Sequence, residues 1–173
     1  MKILFSSFLV IFLFFTNLAF SDQKITFINM DKVISVSNPG ISILKQLTEL
    51  KNKNSKFLKN EEKKFKEKEK KLISQKNIIS ESNFQNNLAE LKSEIKNYNL
   101  KKNKMIEDFN KLKLDNTNKL LKLINPILIK FSNDEKISII LQKKNLVVAK
   151  TELDITEEII KIINLEVKEF KIK

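Results

Sequence analysis

The sequence predicts an α+β fold: a long antiparallel helical hairpin inserted into a small β-body. Three observations predict it. Apolar residues repeat every seven positions through two consecutive stretches of the region 41–125, the period of helices that pack along a narrow seam. Short β-branched runs stand on either side of that region, at 24–30 and again at 137–149. The chain holds one Gly and two Pro in 173 residues, so tight turns are few and helices can run long.

At the N-terminus, Met1-Lys2 is followed by an almost wholly apolar run from Ile3 to Phe20 and by Ala19-Phe20-Ser21. A charged start, an apolar core and small residues at alternate positions predict a cleavable secretory signal peptide over residues 1–21. A membrane anchor is the competing reading, because the run is nearly long enough to span a bilayer. Thr16 and Asn17 near its end favour cleavage.

The first body segment is 22–40. Lys24-Ile-Thr-Phe-Ile-Asn-Met30 reads as a strand, Asp31 as a cap for a short helical turn, and Asn38-Pro39-Gly40 as a breaker. The arm is expected over 41–125. Its first row is Leu44, Lys51, Leu58, Phe65, Leu72 and Ile79, apolar except at Lys51. Ser80-Glu81-Ser82-Asn83 interrupts the pattern with capping residues, so the tip is placed near 80–83. The second row is Phe84, Leu91, Tyr98, Met105 and Leu112, interleaved with Leu88, Ile95 and Phe109; Lys102 and Asn116 are its polar exceptions. Two helices of about 40 residues would give an arm roughly 60 Å long. A single uninterrupted helix is the competing geometry.

The second body segment, 126–173, starts at Pro126, which should close or kink the second helix. Two strands are expected at 137–141 and 146–149, joined by a turn at Lys143-Lys144-Asn145. Asp154, three residues before Glu157, offers a capping box for a final helix with an apolar face of Ile155, Ile159, Ile162, Ile163 and Val167. Three short strands and one helix make a thin body, for which oligomerisation is the physical expectation.

Charge is concentrated in the arm. The chain carries a net +12, every basic residue being Lys, and residues 41–125 hold 21 Lys against 11 acids. Such a segment can attract acidic polymers or anionic lipid. Nucleic acid is not expected, since the chain is read as exported and has no Arg for base readout or bidentate phosphate clamping. Catalysis is poorly supported. There is no His or Cys, so the usual base, thiol nucleophile and zinc ligands are missing. One Gly cannot build a phosphate-cradling loop. No cofactor is expected.

The runs 24–30, 137–141, Lys144-Asn-Leu-Val-Val148 and Leu153-Asp-Ile-Thr156, flanking a long Lys-rich helical insertion, resemble the Skp/OmpH family of periplasmic chaperones. The resemblance implies a β-body that trimerises through a β-barrel, with the hairpins as tentacles around a cavity. It implies a periplasmic location and ATP-independent holding of unfolded outer-membrane proteins. Ile25, Phe27, Ile137, Ile139, Leu141, Leu146 and Val148 would then be trimer body. Phe57, Leu58, Phe65, Leu72, Phe84, Leu88 and Leu91 would be client contacts on the arm. Phe57 and Phe65 lie about 80° apart round a helix, so some aromatic surface is expected outside the seam. Anionic lipid or lipopolysaccharide is a further candidate partner, but the family's Arg-containing lipopolysaccharide site does not carry over to a chain without Arg. A structural or adaptor coiled-coil protein of the envelope, or a lipid-binding protein, is the alternative to a holdase.

Overall fold

The computed structural model describes residues 23–168 and 171–172; the predicted signal peptide at 1–21 lies outside them. In order, the elements are β1 (Lys24–Ile28), α1 (Met30–Val36), α2 (Asn38–Gln75), α3 (Glu81–Asp134), β2 (Ile137–Gln142) and α4 (Thr156–Glu166).

The chain turns from α1 into α2 at a single residue, Ser37, and Pro39 occupies the first turn of α2, where its missing N–H costs nothing. The expected breaker at 38–40 is therefore a helix start. α1 is capped by Asn29, whose side chain accepts from the Lys32 amide at 3.0 Å, so Asp31 lies within the first turn instead of capping it.

α2 and α3 fold back on each other. Lys68 meets Glu94, and Glu62 meets both Tyr98 and Lys102, so one residue number falls as the other rises. The reversal occupies residues 76–80, just before the expected tip. Ser80 caps α3 by accepting from the Asn83 amide at 3.3 Å, which draws residues 81–83 into the helix.

α3 has 54 residues and α2 has 38, so α3 overshoots the start of α2 by about 24 Å. That overshoot is what the sheet requires. β1 and β2 pair in parallel, Lys24 opposite Ile137 and Ile28 opposite Gln142, so the chain must return past the body to the beginning of β1. The whole arm is thus the crossover of a parallel pair. Of the two expectations for Pro126, closing the helix is not met. α3 continues through it to Asp134, held by buried Ile124, Ile127 and Phe131 while Pro126 itself faces solvent. The Lys122 carbonyl, which Pro126 cannot bond, belongs to an exposed residue. Two residues past the end of α3, Lys136 sits at φ 54°. A left-handed Lys costs about 1 kcal/mol or more against Gly, so Lys136→Gly is expected to raise the unfolding free energy by about 1 kcal/mol in urea titration.

The expected third strand is absent among the described residues. Residues 143–145 form a 3-10 turn and 146–149 continue without a ladder, bending at Val147. Val147 is fully exposed. The sheet has two strands, and the 146–149 segment pairs with neither of them. The chain instead returns to β1 further on, where the Ile155 amide donates to the Phe27 carbonyl at 3.0 Å. The expected capping box is also replaced: Asp154 accepts from the Thr156 amide at 3.0 Å and from its hydroxyl, while Glu157 pairs with Lys32.

The core sits where the hairpin meets the body. Val33 of α1, Ile43 and Leu47 of α2, Leu120 and Ile124 of α3 and Ile159 and Ile163 of α4 form one buried cluster. Ile160 joins the predicted face of α4, and Ile162 and Val167 pack on its margin.

Candidate binding surface on the helical hairpin

Seven arm residues singled out from the sequence fall mainly on the seam. Leu72 and Leu91 are buried and line the same distal stretch. Phe65 meets Tyr98 edge to face at 5.3 Å between ring centroids. Phe57 lies beneath the Lys101 ammonium at 4.5 Å. Leu58, Phe84 and Leu88 are half-buried. Of the polar exceptions in α3, Lys102 is accounted for by Glu62 at 3.0 Å. Asn116 is fully buried, donates from Nδ2 to the Leu112 carbonyl at 2.7 Å, and leaves Oδ1 without a protein partner.

Halfway along the arm, Glu62 accepts from the Tyr98 hydroxyl at 2.8 Å as well as from Lys102. Those two hydrogen bonds hold the Glu62 carboxyl below its usual value of 4.5. Burial, then the Glu62 carboxylate, pushes the Tyr98 phenol up to about 12. A raised phenol contributes stability that is complete below its unfolded value, about 10, and is lost as pH climbs through 12. The lowered carboxyl contributes above its unfolded value and loses that contribution as pH falls below 4.5. Tyr98 is the sole tyrosine and there is no Trp, so tyrosinate absorbance reports this site alone. Its midpoint is expected near pH 12 and should move down in Glu62→Gln; an unchanged midpoint would separate Tyr98 from Glu62.

The arm's open apolar surface lies elsewhere. Leu100 (61% exposed), Leu114 (60%) and Ile106 (49%) stand out from α3, and Ile73 and Ile78 flank the tip. All five lie off the seven-residue rows, and that is the signal by which the sequence could have revealed them: an apolar residue out of register with the seam has no partner helix to cover it. Around them the long helices present a predominantly Lys surface.

The body splits its candidate residues. Phe27 and Ile137 are buried within the chain, whereas Ile25, Ile139, Leu141 and Val148 are exposed and Leu146 is half-buried. On the other sheet face, Ile28, Ile140, Leu121 and Leu128 line an open groove of about 750 Å³. Among the described residues no cluster of acids could hold a metal, and no helix is long and apolar enough to cross a membrane.

Fold and surface together define a body-and-arm protein: a small two-stranded base carrying one long basic helical hairpin. The family model described as outer membrane protein (OmpH-like) matches residues 24–163, and the chain belongs to that family. A crystal structure at 2.83 Å of a candidate OmpH-like outer membrane chaperone from Caulobacter crescentus CB15 superposes with a TM-score of 0.79. It is 14% identical and the match covers 86% of this chain and 88% of that one. No curated protein matches.

Proposed function

We propose that the chain is an ATP-independent periplasmic holdase that takes unfolded outer-membrane proteins between basic arms and keeps them from aggregating. The observation that carries the reading is the arm itself, in which apolar side chains such as Leu100 and Leu114 stand uncovered within a Lys-rich surface. Scattered apolar contacts are weak singly and strong together, so capture and release need no energy input. The basic field concentrates acidic chains, each charge contributing about 1 kcal/mol or less. Export would be directed by residues 1–21.

The body supports a homotrimer. A two-stranded sheet is marginal in water, and here Ile25, Ile139 and Leu141 are left half-covered while Val147 and Val148 are exposed outside any ladder. A neighbouring copy would cover these residues and give the run 146–149 a strand to pair with. Membership in the OmpH-like family and the likeness to the Caulobacter structure agree with this reading.

The test is light scattering of an acid-rich, urea-unfolded outer-membrane barrel diluted into buffer. Equimolar trimer should suppress scattering nearly completely, with slower capture at higher salt. Undiminished scattering would count against the holdase role. Sedimentation of the mature chain should give a trimer mass, and a stable monomer would remove the caged geometry.

A further inference from the structure

The seven-residue row of α2 has one gap, at Lys51, and the structure shows what that gap does. α2 and α3 pair so that 51 faces 109 and 54–55 face 105–106. On α2 those positions are Lys51, Asn54 and Ser55, all short or polar toward the seam. On α3 they are Met105 and Phe109 of the denser rows and Ile106 beside them. One helix thus brings a full apolar surface to a stretch where its partner brings nothing to cover it. The result is a cleft of about 390 Å³ between the helices, with Leu58, Met105, Ile106 and Phe109 as its apolar lining.

Its rim is cationic. Lys51 and Lys59 border the cleft, and among the described residues neither has an ion pair. Glu62, also at the rim, is already engaged by Tyr98 and Lys102. An occupant therefore meets an apolar floor flanked by two ammonium groups with nothing to neutralise them.

We infer that this cleft is a docking subsite on the arm for one large apolar side chain of an extended polypeptide bearing carboxylates on either side of it. Resting on the holdase reading, the inference assigns a chemical preference to a defined place: apolar contact with Met105, Ile106 and Phe109 for affinity, and Lys51 and Lys59 for the flanking acids. An apolar side chain fits because the cleft width is set by side chains missing from α2, and burying it removes the half-exposed Ile106 from water. Carboxylates fit because the unpaired cations lie at its edge rather than its floor, where the charges remain hydrated.

The mature chain has two methionines, Met30 in the body and Met105 in the cleft, which makes the test site-specific. Full-length mature protein with labelled Met methyl groups is titrated with a short peptide carrying one Phe between Asp pairs. Two control peptides carry Lys in place of Asp, or Ser in place of Phe. The expected result is a saturable shift of Met105 with Met30 unmoved, and binding at least tenfold weaker for each control. Ile106→Ser, at a half-exposed position, and the Lys51→Gln/Lys59→Gln pair should each weaken the Asp–Phe peptide about tenfold. Equal binding of the Lys-flanked peptide, or no Met105 shift, overturns the inference. A Met105 shift that grows with protein concentration in the absence of peptide overturns it too, and gives the cleft to a second copy. Aggregation suppression is measured on the same samples. Suppression retained without peptide docking removes this subsite alone; no suppression by the unaltered protein removes the holdase reading and the subsite with it.

Discussion

Gly40→Ala should lower the unfolding free energy by about 3 kcal/mol or more, a fall of roughly 10 °C in Tm for a chain of this size. A Cβ at position 40 would come 1.7 Å from the backbone carbonyl oxygen of Ile34 and 2.7 Å from its carbon. No rotamer relieves that clash, because the obstacle is main chain. α1 and α2 are joined by Ser37 alone, so they cannot separate without pulling Val33 or Ile43 from the core. The only glycine of the chain is spent on this close approach rather than on a turn. Ile41→Ala, one residue on and half exposed, is the control and should stay within about 1 kcal/mol. Thermal melts followed by far-UV circular dichroism distinguish the two. A Gly40→Ala melt that overlays the unaltered protein would mean that the junction of α1 and α2 is not this tight.

What the sequence disclosed about this molecule depended on how far away each residue's partner lies. The arm was legible because a seam writes its own period: Leu58, Phe65 and Leu72 against Leu91, Tyr98 and Met105 need only local spacing to be recognised. β1 and β2 were legible as β-branched runs. Their parallel pairing was not, since it depends on α3 overshooting the body, and length beyond the seam leaves no pattern. That Pro126 does not close the helix was hidden for the same reason. Its local rule, to end a helix, is outweighed by Ile124, Ile127 and Phe131 anchoring the helix on both sides. The run 146–149 carries strand composition but joins no ladder in its own chain. For the candidate site, six of the seven apolar residues chosen, all but Phe57, came from the rows and were those most suited to covering each other. The uncovered ones, Leu100, Ile106 and Leu114, were recognisable only as residues out of register with them.

Leu120→Ala is expected to destabilise the whole chain by about 3 kcal/mol, whereas Leu72→Ala should act mainly on the outer arm. Leu120 has no exposed surface and packs in the cluster that joins α1, α2, α3 and α4. Removing it leaves a cavity at the one place where every helix meets, so no part of the chain can open without sharing the loss. Leu72 is nearly as buried, and its truncation removes the same atoms. Its neighbours, however, are Leu91 and the charged residues Lys68, Lys71, Glu90 and Glu94 on the distal arm, with the reversal at 76–80 just beyond. That end can fray while the base stays closed, because below it the Glu62–Tyr98–Lys102 contacts close the arm again. Native-state hydrogen exchange separates the two cases. In Leu120→Ala, protection should fall together in α3, α4 and the sheet. In Leu72→Ala, amides between about 65 and 98 should exchange faster while those of α4 keep their rates and Tm moves little. Equal losses everywhere in both variants would show the arm and base to be one cooperative unit. The predicted gradient, stiff at the base and yielding toward the tip, follows from burial alone. For the proposed holdase, such a gradient would let the arm change its outer surface around differently shaped chains while the base stays closed.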